Sequence, residues 1–115
     1  MKKLLICSVG SIGRKYIRTI KKHFSEIEIG VYRSGKGDNY PELSSIDKFF
    51  FNFDESIQWG PNYAIICSPA NLHLEQALKL ANNNINLIIE KPLCTLSFDN
   101  RHIQRLKELS QNNVI

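Results

Sequence analysis

Residues 2–15 read KKLLICSVGSIGRK, and this stretch decides the fold. An apolar run stops at the loop Ser8-Val9-Gly10-Ser11-Ile12-Gly13, and a helical pattern follows at once. A strand, a tight turn and a helix N-terminus in this order aim unpaired backbone N–H groups and the positive end of a helix dipole at one point. Because such a point suits a phosphate, we interpret the loop as the binding site for a dinucleotide pyrophosphate.

The loop departs from the usual fingerprint, G-x-G-x-x-G, at its first position. Ser8 replaces the first glycine, which a tight turn tolerates if φ stays negative. Gly10 allows the backbone to approach the pyrophosphate, and Gly13 allows the helix to pack closely on the strand. The two glycines alone would also fit a purely structural turn, but their place between strand and helix favours cofactor binding.

Strand-like and helix-like segments alternate along the whole chain. We predict strands at 3–7, 27–32, 49–53, 63–67 and 87–90, and helices at 11–24, 55–58 (N-cap Asp54), 72–82 (N-cap Asn71) and from Thr95 or Ser97 onward. Val114-Ile115 reads as the start of a further strand. This alternation implies right-handed βαβ units. We therefore expect an α/β fold, a Rossmann-type doubly wound parallel sheet truncated at the start of its last strand.

Apolar residues recur on one side of each longer helix at spacings of three and four. The predicted buried stripes are Ile12, Tyr16, Ile17, Ile20 and Phe24; Leu74, Ala77, Leu78 and Ala81; and Ile103, Leu106 and Leu109. The cations between Arg14 and Lys22 fall off the first stripe, as is typical of a solvated helix face. The net charge of +4 is too mild to favour a nucleic-acid patch.

The composition is that of one globular domain spanning 1–115, since 43% of its 115 residues are hydrophobic and 23% are charged. Cys7, Cys67 and Cys94 have no metal-ligand spacing, so we expect buried, reduced thiols in a cytoplasmic protein. The start imitates a signal peptide, but its apolar stretch is too short. No apolar run approaches the roughly 20 residues of a membrane helix, so we expect no membrane partner.

The unusual residues of the chain all follow predicted strands. They lie at 8–13, 33–34, 67–73 and 90–92. The carboxyl ends of parallel strands meet at one edge of the sheet, where ligands bind at the point at which the strand order reverses. We therefore expect these four segments to converge on one site.

Arg33 and Ser34 stand at the end of the second strand, where the fingerprint expects an acidic residue that binds the ribose 2′-OH. A carboxylate repels a 2′-phosphate, whereas a guanidinium and a hydroxyl attract it. The pair therefore predicts a preference for NADP(H) over NAD(H). The alternative is an ordinary exposed loop arginine.

Two later segments, YAIICSPANLHLEQA from Tyr63 and NLIIEKPL from Asn86, resemble the N-terminal half of the Gfo/Idh/MocA oxidoreductases. This family includes glucose–fructose oxidoreductase and inositol dehydrogenase. The resemblance covers essentially the whole chain, and E-K-P-L is its most specific part.

The resemblance implies roles for individual residues. Ser68, Pro69, Asn71 and His73 would line the cofactor cleft, Glu90 would contact the nicotinamide ribose, and Lys91 would lie near the nicotinamide and the substrate hydroxyl. The Lys91–Pro92 peptide is commonly cis in the family. Lys91 is therefore the candidate catalytic residue. The candidate cofactor-binding residues are Ser8, Gly10, Ser11, Ile12, Gly13, Arg33, Ser34, Cys67, Ser68, Pro69, Asn71, His73, Glu90 and Lys91.

Members of the family continue into a second, α+β domain that forms the other wall of the substrate site. We therefore expect the cofactor domain of an NAD(P)-dependent oxidoreductase acting on a sugar, sugar nucleotide or cyclitol, inactive as this isolated chain. Apolar surface left uncovered would make it self-associate as a homo-oligomer. The alternative is a non-catalytic nucleotide-binding or regulatory module with the same fold. A flavodoxin-like signalling domain would need acidic residues after the first strand.

Overall fold

Five strands and four α-helices alternate along residues 2–33, 40–95 and 100–115, which are the residues that a computed structural model describes. The strands are β1 (Lys3–Cys7), β2 (Glu28–Tyr32), β3 (Lys48–Phe50), β4 (Tyr63–Ile66) and β5 (Asn86–Ile89). The helices are α1 (Ser11–His23), α2 (Phe53–Gln58), α3 (His73–Asn82) and α4 (Asn100–Leu109). Short 3-10 helices occupy Pro41–Ser45 and Ala70–Leu72.

All strand pairs are parallel, and the order across the sheet is β3-β2-β1-β4-β5. Leu5 of β1 pairs with Gly30 of β2 on one side and with Ala64 of β4 on the other. The strand order reverses between β1 and β4, so the glycine loop after β1 lies at the switch point. The predicted doubly wound α/β fold is confirmed.

The alternation of side chains along each strand divides the core into two layers. On one face, Leu5 and Cys7 pack in a cluster with residues of α2, α3 and α4. On the other face, Leu4 and Ile6 pack with Ile17 of α1. Helices therefore cover both faces, as a parallel sheet requires.

Two predicted helix caps are wrong. Asn52, not Asp54, is the N-cap of α2, because its Oδ1 accepts a hydrogen bond of 3.0 Å from the backbone N–H of Glu55. The third strand consequently ends at Phe50, three residues early. Asn71 lies inside a 3-10 turn, and α3 begins at His73 without a side-chain cap.

The buried stripe predicted for α1 is correct only at its centre. Ile17 is fully buried, whereas Ile12 is 44% exposed and Phe24 is 51% exposed. The helix of 13 residues is about 20 Å long but the strands of five residues span about 17 Å, so its ends extend past the sheet. The buried stripe predicted for α3 is wrong at Leu78, which is half-buried. Leu80, which the predicted stripe did not include, is buried instead.

The C-terminal residues lie beside β5 without forming a strand. The backbone N–H of Leu87 donates to the carbonyl of Val114 at 2.7 Å, yet neither Val114 nor Ile115 is in a strand. Thr95 is not helical, and Ser97 lies outside the described residues. The cysteines are free thiols, of which Cys7 is buried and Cys67 and Cys94 are half-buried.

Candidate functional site

The glycine loop turns sharply at Ser8, which adopts a positive φ of 77°. The condition under which a tight turn tolerates serine without cost, a negative φ, is therefore not met. The backbone N–H of Ser8 donates to the carbonyl of Tyr32 at 2.7 Å, so the chain stays in register with β2 and must then turn away through the left-handed region. This conformation costs an L-residue about 1–2 kcal/mol that glycine does not incur.

The two glycines of the loop stand in opposite environments. A Cβ at Gly13 would lie 2.8 Å from the carbonyl oxygen of Ser8, so α1 packs on the loop only because Gly13 has no side chain. A Cβ at Gly10 would meet no heavy atom of the described residues within 4 Å. Gly10 is the N-cap of α1, and the N–H groups of Ser11 and Ile12 in the exposed first turn have no acceptor within the helix. Gly10 therefore faces both open space and free donors.

Three of the four predicted segments line one small cavity of about 60 Å³. Its lining residues are Ser8, Tyr32, Arg33, Ser68, Pro69, Leu72 and Gln76. We call this part of the carboxyl edge the β2 end. Arg33 is half-buried, and its backbone N–H donates to the carbonyl of Phe50 at 3.0 Å. Ser34 lies outside the described residues.

In the segment after β4, one polar side chain is buried and hydrogen-bonded, whereas two neighbouring residues are exposed. The Ser68 hydroxyl is buried and donates to Oε1 of Gln76, a residue that the sequence analysis missed. A glutamine on the buried face of α3 was the available signal, because a buried polar group needs a partner. Pro69 and Asn71 are exposed.

Glu90, Lys91 and Pro92 follow β5 at the opposite end of the edge, which we call the β5 end. The Tyr16 hydroxyl of α1 donates to Oε1 of Glu90. This hydrogen bond, with partial burial, raises the pKa of Tyr16 to about 12. Lys91 is exposed, and the Lys91–Pro92 peptide is cis, as the resemblance implied. Periodicity alone assigned Tyr16 to the apolar stripe of α1. Its hydroxyl, a polar group within that stripe, was the available indication of a hydrogen-bond partner such as Glu90.

The thiol of Cys67 lies near the same carboxylate. Burial, and then the negative charge of Glu90, raise the pKa of Cys67 to about 12. Cys67 is therefore a neutral thiol at physiological pH and packs beside the α1 layer of the core.

His73 links the segments that follow β4 and β5. Its ring is 2% exposed. Nδ1 lies 2.7 Å from the carbonyl oxygen of Pro92, and Nε2 lies 2.5 Å from the carbonyl oxygen of Ser68. Both ring nitrogens thus contact backbone, and the imidazole ties the Glu90-Lys91-Pro92 segment to the β2 end.

Metal sites and membrane spans concern the described ranges, residues 2–33, 40–95 and 100–115. Within them, no three His, Cys, Asp or Glu side chains are grouped in a way that could hold a metal ion. None of the helices described is both long enough and apolar enough to span a bilayer.

Residues 2–114 match the family model of the Gfo/Idh/MocA oxidoreductases, described as an oxidoreductase family with an NAD-binding Rossmann fold. The chain belongs to this family. The match spans nearly the whole sequence, so the four segments singled out in the sequence all lie within the family's NAD-binding domain. No curated protein sequence matches this Gfo/Idh/MocA domain significantly.

Solved structures similar to this Gfo/Idh/MocA domain are considerably longer proteins. Scyllo-inositol dehydrogenase from Lactobacillus casei with bound NAD(H) and scyllo-inositol is 20% identical, with a TM-score of 0.74 over 96% of this chain and 33% of that one. The WlbA dehydrogenase from Bordetella pertussis in complex with NADH and UDP-GlcNAcA is 17% identical, with a TM-score of 0.74 over 99% and 34%. Myo-inositol 2-dehydrogenase from Lactobacillus plantarum is 15% identical, with a TM-score of 0.75 over 96% and 33%.

These similarities establish a shared fold at low sequence identity. The chain spans about a third of the length of the structures that it matches.

Proposed function

We propose that this NAD-binding domain is the cofactor-holding part of an oxidoreductase that acts on a sugar, a sugar nucleotide or a cyclitol. The observation that carries the proposal is the loop at the switch point, where open space and free N–H donors meet in front of Gly10. The parallel topology brings the segments after β2, β4 and β5 to the same edge of the sheet as this loop, which supports a dinucleotide site at the switch point.

The chain has residues suited to each part of a dinucleotide. The pyrophosphate would bind the backbone N–H groups of Ser11 and Ile12 at the N-terminus of α1. The adenosine would bind at the β2 end, against the exposed Pro69, and the nicotinamide at the β5 end, beside Glu90. We assign the buried Ser68 and His73 to shaping the segment after β4, and the exposed Asn71 to contact with the cofactor.

Lys91 is the proposed catalytic residue. When bound, the nicotinamide supplies the hydride chemistry. Oxidation of a secondary alcohol also needs a group that removes the hydroxyl proton and stabilises the charge developing on oxygen. Its exposure and its position directly after β5, next to Glu90, support this proposal: Lys91 would donate a hydrogen bond to that oxygen, or accept the proton when its amine is uncharged.

Arg33 is the basis for our proposal that NADP(H) is preferred over NAD(H). It lines the β2 end, where the adenosine ribose would lie, and a guanidinium attracts a 2′-phosphate. We expect calorimetric titration to show NADPH binding about 10-fold more tightly than NADH, as expected for hydrogen bonds to a charged group.

Arg33→Asp should abolish or reverse this preference. Arg105→Asp is the matched control, because it makes the same charge change on α4, where Arg105 pairs with Glu108. An Arg33→Asp protein that keeps its NADPH preference would end the proposal on cofactor choice, and a native chain that binds neither dinucleotide would end the proposed function.

The substrate class is proposed from the relatives. The similar structures hold scyllo-inositol in one case and UDP-GlcNAcA in another. Because the chain spans about a third of their length, we propose that it turns over no polyol by itself. Reduction of NAD(P) by this chain with scyllo-inositol present would contradict that expectation.

We also propose that the chain self-associates through a second copy. An apolar groove of about 410 Å³ lies on the α1 face of the sheet, and it is bounded by Leu4, Phe24, Tyr63, Ile65, Ile88 and Val114. Ile88, in β5, is 55% exposed, which is unusual for a strand of a parallel sheet. Light scattering should show concentration-dependent association that Ile88→Ser reduces, and a strictly monomeric wild-type protein would refute it.

A further inference from the structure

The contact between Tyr16 and Glu90 joins two parts of the site that are distant in sequence. Tyr16 lies on α1, five residues beyond Ser11, where the helix begins. Glu90 directly follows β5. The Tyr16 hydroxyl donates to Oε1 of the carboxylate, so the helix that begins at the glycine loop also holds the β5 end.

The electrostatics of the contact define its chemical form. Because the hydrogen bond to Glu90 raises the pKa of Tyr16 to about 12, the phenol remains a donor throughout the physiological range. The half-buried Cys67 beside the same carboxylate is also protonated. Glu90 therefore has a neutral phenol on Oε1 and a neutral thiol nearby, and its charge is not cancelled by either group.

Tyr16 engages one of the two carboxylate oxygens. A carboxylate has about four lone-pair sites, so Oε2 still has the capacity to accept from a ligand hydroxyl. A free glutamate side chain rotates about three bonds, and each immobilised rotamer-rich side chain costs binding free energy. Holding Oε1 before the ligand arrives lowers that cost.

We propose that Tyr16 is a positioning residue that holds Oε1 of Glu90, so that Oε2 is presented to a hydroxyl of the nicotinamide ribose. This inference rests on the proposed function, since it assigns the nicotinamide half of the cofactor to the β5 end. Tyr16 contributes to the affinity for the nicotinamide half and not for the adenosine half.

The test compares two ligands on the same variants. Tyr16→Phe keeps the ring and removes only the donor. Calorimetry should show that this variant binds NADPH about 10-fold more weakly, as expected for a lost hydrogen bond to a charged group. Its affinity for 2′,5′-ADP should be unchanged, because that ligand lacks the nicotinamide ribose. A merely structural role of Tyr16 would weaken both ligands equally.

Two further variants complete the design. Tyr63→Phe is the matched control for the cofactor site, because Tyr63 is the first residue of β4, at the end of the sheet away from the site. It should leave both affinities within about twofold, since no hydrogen bond to a charged group is removed. Since Tyr63 also lines the proposed self-association groove, all affinities are measured at the same protein concentration. Glu90→Ala should weaken NADPH binding selectively, and adding Tyr16→Phe to it should weaken binding no further.

The outcomes separate the two proposals. Equal NADPH affinity for wild type and Tyr16→Phe, or parallel losses for both ligands, overturns the role of Tyr16 and leaves the proposed function intact. Additive losses in the double variant also overturn it. If Tyr16→Phe fails to fold, full NADPH affinity of Glu90→Ala overturns the inference. A wild-type chain that binds neither ligand overturns both proposals.

Discussion

The β2 end and the β5 end of the carboxyl edge are built in different ways. The glycine loop at the β2 end depends on backbone shape: Ser8 turns through a positive φ, and α1 approaches the loop so closely that Gly13 can carry no side chain. The β5 end depends on side chains held by hydrogen bonds, in which Tyr16 holds Glu90 and His73 holds the carbonyl of Pro92.

The difference matches what we propose that each end binds: the adenosine and, at the glycine loop, the pyrophosphate at the β2 end, and the nicotinamide half at the β5 end. A pyrophosphate carries its charge on compact oxygens and is well recognised by backbone N–H groups, which need close approach and therefore glycine. A ribose hydroxyl and a substrate hydroxyl need acceptors and donors at defined distances, which side chains provide. Substitutions that add bulk should therefore damage the β2 end most, while isosteric loss of a hydrogen bond, as in Tyr16→Phe, should affect the β5 end.

The largest effect on the fold is expected from Gly13→Ala. Its Cβ would lie 2.8 Å from the carbonyl oxygen of Ser8, so α1 must move away from β1. We expect a loss of about 2–3 kcal/mol in the free energy of unfolding, the upper range for overpacked positions, measured by urea denaturation.

Gly10→Ser is the matched variant in the same loop. Its side chain enters open space, and serine is a good N-cap, so stability should be retained while NADPH binding weakens more than about 10-fold. If Gly13→Ala were as stable as wild type, close packing would not shape the β2 end. If Gly10→Ser bound NADPH normally, the pyrophosphate would bind elsewhere.

A smaller effect of opposite sign is expected from Ser8→Gly. Glycine occupies a φ of 77° without the steric cost that serine incurs, so the free energy of unfolding should rise by about 1 kcal/mol. A thermal melt would show this as an increase of roughly 4 °C for a domain of this size.

Asn84→Gly is the comparison for Ser8→Gly, since Asn84 also has a positive φ, of 60°. Asparagine tolerates this region better than serine, so its gain should be smaller. Equal gains at both positions would mean that the glycine loop carries no special strain.

Most residues of the candidate site could be predicted from the sequence because they follow strands directly. The parallel topology alone brings Ser8, Arg33, Ser68 and Glu90 to one edge, whatever their separation along the chain. The partners that hold them could not be found in this way. Tyr16 and Gln76 lie on helices, where periodicity indicates which face is buried but not which polar group the side chain meets.

The sequence by itself determined the order of strands and helices, the doubly wound sheet and the place of the dinucleotide loop, because these follow from local patterns repeated along the chain. Only the tertiary structure decided the positive φ of Ser8 and the exposure of Ile12 and Phe24. It also decided the contacts of Tyr16 and His73. Each of these depends on distances between elements that meet only after the sheet has formed, and a local sequence pattern carries no information about such distances.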